Sequence, residues 1–195
     1  ALWHQLGARE VDYLMANAGI TLGHPFVDQA WPEIRTLLGL NVLGTTLLLH
    51  RALPRMRARG AGRVLVTGSI AGLVPGSHQA AYNASKAYLD SLSFALNDEM
   101  KGTGVTVTCL MPGPVETEVF RRGGMEDSAI GRTPFKDTPE HVARLGYEAM
   151  KAGRAGMTPG LMSKLVATFA GVLPEPLLAR MNRWATETDE DRTRA

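Results

Sequence analysis

Three short apolar runs, at residues 11–16, 63–67 and 104–111, constrain the fold of this chain more than any other feature. Each is rich in β-branched residues, and each stops at small turn-forming residues: Asn17-Ala18-Gly19, Gly68-Ser69 and Pro112-Gly113-Pro114. Near-continuous apolar character predicts strands buried on both faces, which is the condition of a parallel sheet. Two long segments of helical periodicity lie between the runs. In the first, Leu37, Leu38, Leu40, Val42, Leu43, Leu47 and Leu48 cluster ahead of Pro54; the second covers 80–100, with Tyr88, Leu92, Phe94, Ala95 and Leu96 on its apolar side. Strand, helix, strand, helix, strand predicts an α/β fold built on an open, doubly wound parallel sheet.

Composition narrows the function classes. At 195 residues, 45% hydrophobic and 21% charged, the chain has the make-up of one globular domain rather than of a disordered segment. Lys+Arg 21 against Asp+Glu 19 leaves a net charge of +2, too balanced for a nucleic-acid binder. The single cysteine, Cys109, excludes a disulfide scaffold and a cysteine zinc cage, fits a reducing compartment, and reads as inert core within its strand. His4, His24, His50, His78 and His141 show no metal-ligand spacing, so no metal site is expected. Trp3, Trp31 and Trp184 are too scattered to form a stacking platform. With no apolar run of roughly 18 residues and no signal-peptide pattern, the expectation is a cytoplasmic protein without a membrane span. The arginines 51, 55, 57, 59 and 63 read as a solvated helix end, where cations complement the dipole. Residues 1–195 read as one incomplete domain, with a sheet-and-helix core over 1–153 and a helical tail over 154–195. The tail holds two apolar stretches, 161–173 and 177–184, and a charged end.

In open α/β sheets ligands sit beyond the carboxyl ends of the strands, where the three small-residue turns lie. Tyr82 and Lys86 are the most telling residues near them. A spacing of four sets both on one helical face. A phenol has a pKa near 10, and lowering it by ~3 units takes ~4 kcal/mol. One ammonium about 4 Å away supplies an energy of that order at an effective dielectric near 20. Such a pair makes an acid/base for neutral pH. Tyr147 and Lys151 repeat the spacing, but residue 134, thirteen before Tyr147, is a proline, whereas Ser69 stands thirteen before Tyr82 at the end of a strand run. Tyr147 and Lys151 therefore read as surface helix.

Five motifs, in order, carry a resemblance: A-N-A-G-I at 16–20, L-N-V-L-G at 40–44, G-R-V-L-V-T-G-S-I-A-G at 62–72, Y-N-A-S-K at 82–86 and P-G-P-V-E-T at 112–117. Together they resemble the catalytic core of the short-chain dehydrogenase/reductase family, and the stretch from Pro112 to Asp127 is most similar to a bacterial subgroup of unsettled substrate. The resemblance implies a Rossmann-type sheet and NAD(P)-dependent interconversion of a secondary alcohol and a ketone. It implies a catalytic set of Asn41, Ser69, Tyr82 and Lys86. Tyr82 would be the acid/base, Lys86 would lower its pKa and hold the nicotinamide ribose, Ser69 would hold the substrate oxygen, and Asn41 would anchor a water leading to Lys86. Asn17, Ala18, Gly19, Pro112, Gly113, Val115 and Thr117 would flank the cofactor, NAD or, slightly favoured, NADP. A homodimer or homotetramer of the full-length protein is implied as well.

One departure is large. The Gly-rich dinucleotide turn is absent, and Thr67-Gly68-Ser69-Ile70-Ala71-Gly72 only imitates it: Val74 and Pro75 follow where another glycine is needed, and the stretch comes after the Asn-Ala-Gly motif. The resemblance thus implies a chain lacking its first three strands, which would leave the run at 11–16 as an apolar edge. Residues 118–139 are expected to form a substrate lid; Phe120, Met125, Ile130 and Phe135 either line a pocket or simply pack. Two rivals stand beside the enzyme: a non-catalytic dinucleotide-binding regulator or inactive fragment of the same fold, and a structural or membrane-peripheral role through the apolar tail.

Overall fold

A computed structural model of the chain describes residues 5, 7 and 9–194; Trp3, His4 and most of the helix-like opening lie outside the described residues. Four parallel strands form one sheet in the order β1 (Tyr13–Ala16), β2 (Gly62–Thr67), β3 (Val105–Leu110), β4 (Gly156–Met157). Three are the three apolar runs, the first and third trimmed by two residues and the second extended by one. The fourth lies beyond residue 153, where only a tail was expected. Two residues beginning with glycine carry no run to detect, and β4 exists because its backbone completes the ladder of β3.

Period-two alternation sends the two faces of the sheet to separate cores. Ala16, Val64, Val66, Val105 and Val107 face helices α1 (Trp31–Arg59) and α2 (Ala80–Glu99), meeting Leu49, Leu53 and Met56 of the first and Leu89 of the second. Leu65 and Leu110 face the other way, onto Val142 and Met150 of α5 (Pro139–Lys151). Full burial of one such side chain contributes about 1.5–3 kcal/mol. Helices on both faces make the sheet doubly wound. β1 is its edge: Tyr13 and Met15 are half exposed, and only Ala16 is buried. Arg59 fastens this edge, pairing with Asp12 at 2.9 Å and Glu10 at 3.4 Å and donating to the Val11 carbonyl. The basic helix end is therefore in part a clamp. Gly60 closes α1 in the left-handed conformation (φ 73°), which glycine adopts without a Cβ penalty.

Helix α1 departs from the sequence expectation in one respect. Pro54 lies near its end, as expected, but its length and the mean hydropathy of 1.2 over its most apolar 18 residues are sufficient for a membrane span, so the expectation that no segment would be is corrected. Its Leu49, Leu53 and Met56 are committed to the sheet core. In its middle, Gly39–Gly44 forms a π-turn that carries Asn41 into the interior. Short helices α3 (Val119–Arg122) and α4 (Ala129–Arg132) make up the lid region, and α6 (Leu161–Ala170), α7 (Glu175–Thr186) and α8 (Asp189–Arg194) the tail.

Candidate active site

The carboxyl ends of β1, β2 and β3 open into a cavity of about 610 Å³. Asn17, Gly19, Ser69, Tyr82, Lys86, Pro112, Gly113, Val115 and Thr117 all line it. A second cavity of about 650 Å³ shares Gly19, Ile20, Thr21, Thr117 and Val119 with the first, so the two form one groove. Two expected site residues stand outside it. Ala18 is exposed and lines neither cavity. Asn41 is wholly buried behind the wall: its Nδ2 donates to the Ile20 carbonyl at 2.9 Å and to the Ser85 hydroxyl at 3.0 Å, while its Oδ1 accepts from the Ile20 N–H at 2.9 Å. Both amide donors are engaged, so the side chain clamps the loop after β1.

The chain of contacts around Tyr82 starts at the end of β2. Ser69 accepts from the Ala71 N–H at 3.1 Å, which caps the 3-10 turn Ile70–Leu73, and its hydroxyl donates to the Pro112 carbonyl at 3.4 Å. That tight turn, rather than a helix N-terminus, follows the glycine-like stretch, so no phosphate cradle forms there. Helix α2 then presents Tyr82 and Lys86 on one face, with the Lys86 Nζ 5.8 Å from the centre of the Tyr82 ring. Lys86 donates to the Thr67 carbonyl at 2.8 Å.

The electrostatics differ from the sequence expectation. Burial pushes the Tyr82 phenol above its ordinary pKa; the Ser69 hydrogen bond pulls the other way, and the negative charge of Asp90 adds to the rise. The ammonium was expected to lower this pKa, but at that separation it does not outweigh the loss of water. Lys86 itself is brought down to about 8 by burial, against the opposing pull of Asp90.

Asp90 went unnoticed in the sequence. It stands one helical turn beyond Lys86, 5% exposed, and its Oδ1 accepts from the Ser69 N–H and the Cys109 thiol, both at 3.3 Å. Its Oδ2 has no hydrogen-bond donor among the described residues. Burial raises its pKa to about 6, although Cys109, Ser69 and Lys86 all favour the charge. Gly68 and Gly72 press against this carboxylate, and a Cβ at either position would strike it. The spacing of four from Lys86 was the available signal. Cys109 is core, as expected, with its thiol pushed up by burial.

Of the lid residues, Phe120, Met125 and Ile130 line the cavity, whereas Phe135 is exposed. The tail contributes Val166 and Asn182 to the wall, which the sequence did not reveal. Tyr147 and Lys151 stack on the surface of α5 and line neither cavity, with Lys151 also 3.7 Å from Glu148.

Residues 4–126 match the family of short chain dehydrogenases. Among curated proteins, the chain is 30% identical over 167 residues to an uncharacterized oxidoreductase of Myxococcus xanthus, covering 86% of this chain and 64% of that one. It is 38% identical over 147 residues to sulfoacetaldehyde reductase 2 of Chromohalobacter salexigens, covering 70% and 57%. Among solved structures, a short-chain dehydrogenase from Sphingobium yanoikuyae in complex with NADPH superposes with a TM-score of 0.74 at 26% identity, covering 85% of this chain and 64% of the other. The chain thus spans less than two thirds of the length of each of these relatives.

Proposed function

The chain belongs to the short-chain dehydrogenase family, and from that premise we propose that it carries the catalytic part of an NAD(P)-dependent oxidoreductase interconverting a ketone and a secondary alcohol. One observation carries the reading: Ser69, Tyr82 and Lys86 converge on a single cavity.

The residues fit a dinucleotide. Among the described residues one of the three donors of the Lys86 ammonium is used, which leaves two for ribose hydroxyls. At Gly19, which lines the cavity, a Cβ would come within 3.2 Å of the Asn41 Oδ1 and 3.6 Å of the Lys86 Nζ, so a side chain there would crowd the lysine and the buried amide. NADP is favoured over NAD because the solved relative at 26% identity was captured with NADPH. The dinucleotide, when bound, supplies or accepts the hydride. The chain manages the rest. Ser69 orients the substrate oxygen, and Tyr82 delivers a proton to it in reduction or takes one in oxidation. Its raised pKa keeps the phenol protonated at neutral pH, the form that reduction requires.

The walls also select the substrate. Glu33, Glu118 and Arg122 line the adjoining 650 Å³ cavity, whereas in the 610 Å³ cavity that holds Tyr82 the walls include Ile70, Val74, Phe120, Met125, Ile130 and Val166, and Lys86 is the one charged side chain among the described residues lining it. An uncharged, apolar ketone fits this surface. A small anion would lie there with no cation to replace its water beyond the lysine already assigned to the cofactor. In the full-length protein, the exposed Leu40, Leu43 and Leu47 of α1 and Tyr88 of α2 form the face through which a dimer or tetramer assembles.

Tyr82→Phe tests the assignment. In the full-length protein it is expected to lower ketone reduction by about 10²–10⁴-fold with NADPH affinity within twofold of the wild type. Turnover equal to the wild type rejects the reading.

A further inference from the structure

We propose that Asp191, near the far end of the chain, is a positioning residue: its carboxylate clasps His24 and His78 and so fixes the approach to the helix that carries Tyr82. The inference rests on the function proposed above. The Asp191 side chain is 3% exposed and takes four donors. His24 Nδ1 approaches one oxygen at 3.3 Å and His78 Nδ1 the other at 3.1 Å, while the Thr188 N–H and hydroxyl approach at 3.1 and 2.8 Å. The two histidines come from different segments of the chain. His24 follows the Asn17-Ala18-Gly19 turn, and His78 lies four residues before Tyr82.

A second observation points the same way. Among the described residues, His24 (φ 71°) and His78 (φ 63°) are the two non-glycine residues with left-handed backbones. A residue with a Cβ holds that conformation only where its surroundings over-determine it. Here both meet the same carboxylate. The segment at 77–78 is held again from α7, since Thr186 donates to the Ser77 carbonyl at 2.8 Å and the Ser77 hydroxyl donates to Ala179 at 3.0 Å. The lid is tied to the same point: the Asp189 N–H donates to Asp127 at 3.1 Å, and Arg132 pairs with Asp189 at 2.6 Å. Just inside, Gln79 donates to the Thr21 hydroxyl at 3.0 Å and closes the wall between the two histidine loops. Loosening the clasp frees the first turn of α2, and with it the placement of the phenol.

The experiment uses the full-length protein with NADPH and a panel of uncharged ketones, and compares Asp191→Asn, His78→Asn and the double variant. Asparagine tolerates the left-handed backbone, so His78→Asn removes the ring contact while keeping the loop. Each single variant is expected to lose about 10–100-fold in kcat with the NADPH dissociation constant unchanged. Amide exchange should rise at 76–83 and 21–24. Because the two residues act as a unit, the double variant should lose no more than either single one. Losses that add in the double variant, or unchanged exchange at 76–83, overturn the proposal. Should Asp191→Asn fail to fold, the exchange pattern of His78→Asn decides alone. A wild type that reduces no ketone removes the proposed function, and the exchange readout still decides whether the clasp exists.

Discussion

Asp90 and Lys86 sit one turn apart on α2, and each holds the other's charge in a place that water barely reaches. For Asp90 the pKa is raised on folding to about 6, so the folded state binds the proton more tightly than the unfolded one. Its contribution to stability is complete below about pH 4, the unfolded pKa, and is lost as the pH rises through about 6. Two units correspond to about 3 kcal/mol. In Asp90→Asn that loss is absent. The stability of the variant relative to wild type is therefore expected to be better at pH 7.5 than at pH 4.5 by up to this amount, measured by urea unfolding at both. Removing the carboxylate also withdraws the pull that favours the Lys86 ammonium, so the alkaline limb of the activity profile should move to lower pH. At this scale the sequence was readable where partners are close along the chain. Tyr82 and Lys86 share a helical face, and Ser69 ends a strand. Asp90 has the same spacing from Lys86, yet spacing alone does not say which of several neighbouring turns faces the interior. His24 and His78 lie 167 and 113 positions from Asp191, and no local pattern joins them.

Helix α1 shows how an element serves the site through an irregularity. A π-turn accommodates one more residue than an ordinary α-turn, and such turns recur where function needs a side chain re-aimed. Here the wider turn brings Asn41 against both backbone groups of Ile20. Asn41→Ala leaves that N–H and carbonyl without partners, at about 1–3 kcal/mol each. Asn41→Asp is expected to be worse, since a buried carboxylate oxygen then faces the Ile20 carbonyl. Thermal melts of both variants check the order; equal stability of Asp and wild type at position 41 would contradict it. Strands β2 and β3 were readable because burial on both faces makes their residues uniformly apolar. The two-residue β4 has no such signature. Gly39 and Gly44, which bracket the π-turn, were its only trace, and glycines within a helix have other uses. The lid was readable as a segment, but which of its apolar residues turn inward depends on a tail remote in sequence.

Among the described residues, exposed apolar side chains gather at the β1 edge, on the tail helices and on the leucine face of α1. For the last, Leu43→Glu with Leu47→Glu sets charges on an exposed apolar face without disturbing Leu49, Leu53 or Met56, which point into the core. The full-length double variant is expected to shift to a lower oligomeric mass by light scattering, with its helical content intact; an unchanged mass would exclude this face as the interface. The doubly wound architecture followed from three runs and two periodic segments, while the clasp beside the groove did not, because it depends on Asp191 meeting His24 and His78, far from it in sequence. That separation has a consequence in time. The last of the four described strands, β4, ends at Met157, but Asp191 comes 34 residues later. At about 5–20 residues per second, translation leaves a nascent chain for about 2–7 s with its strands available and its clasp unmade. The apolar walls around Phe120 and Val166 are then open to whatever the ribosome's surroundings offer.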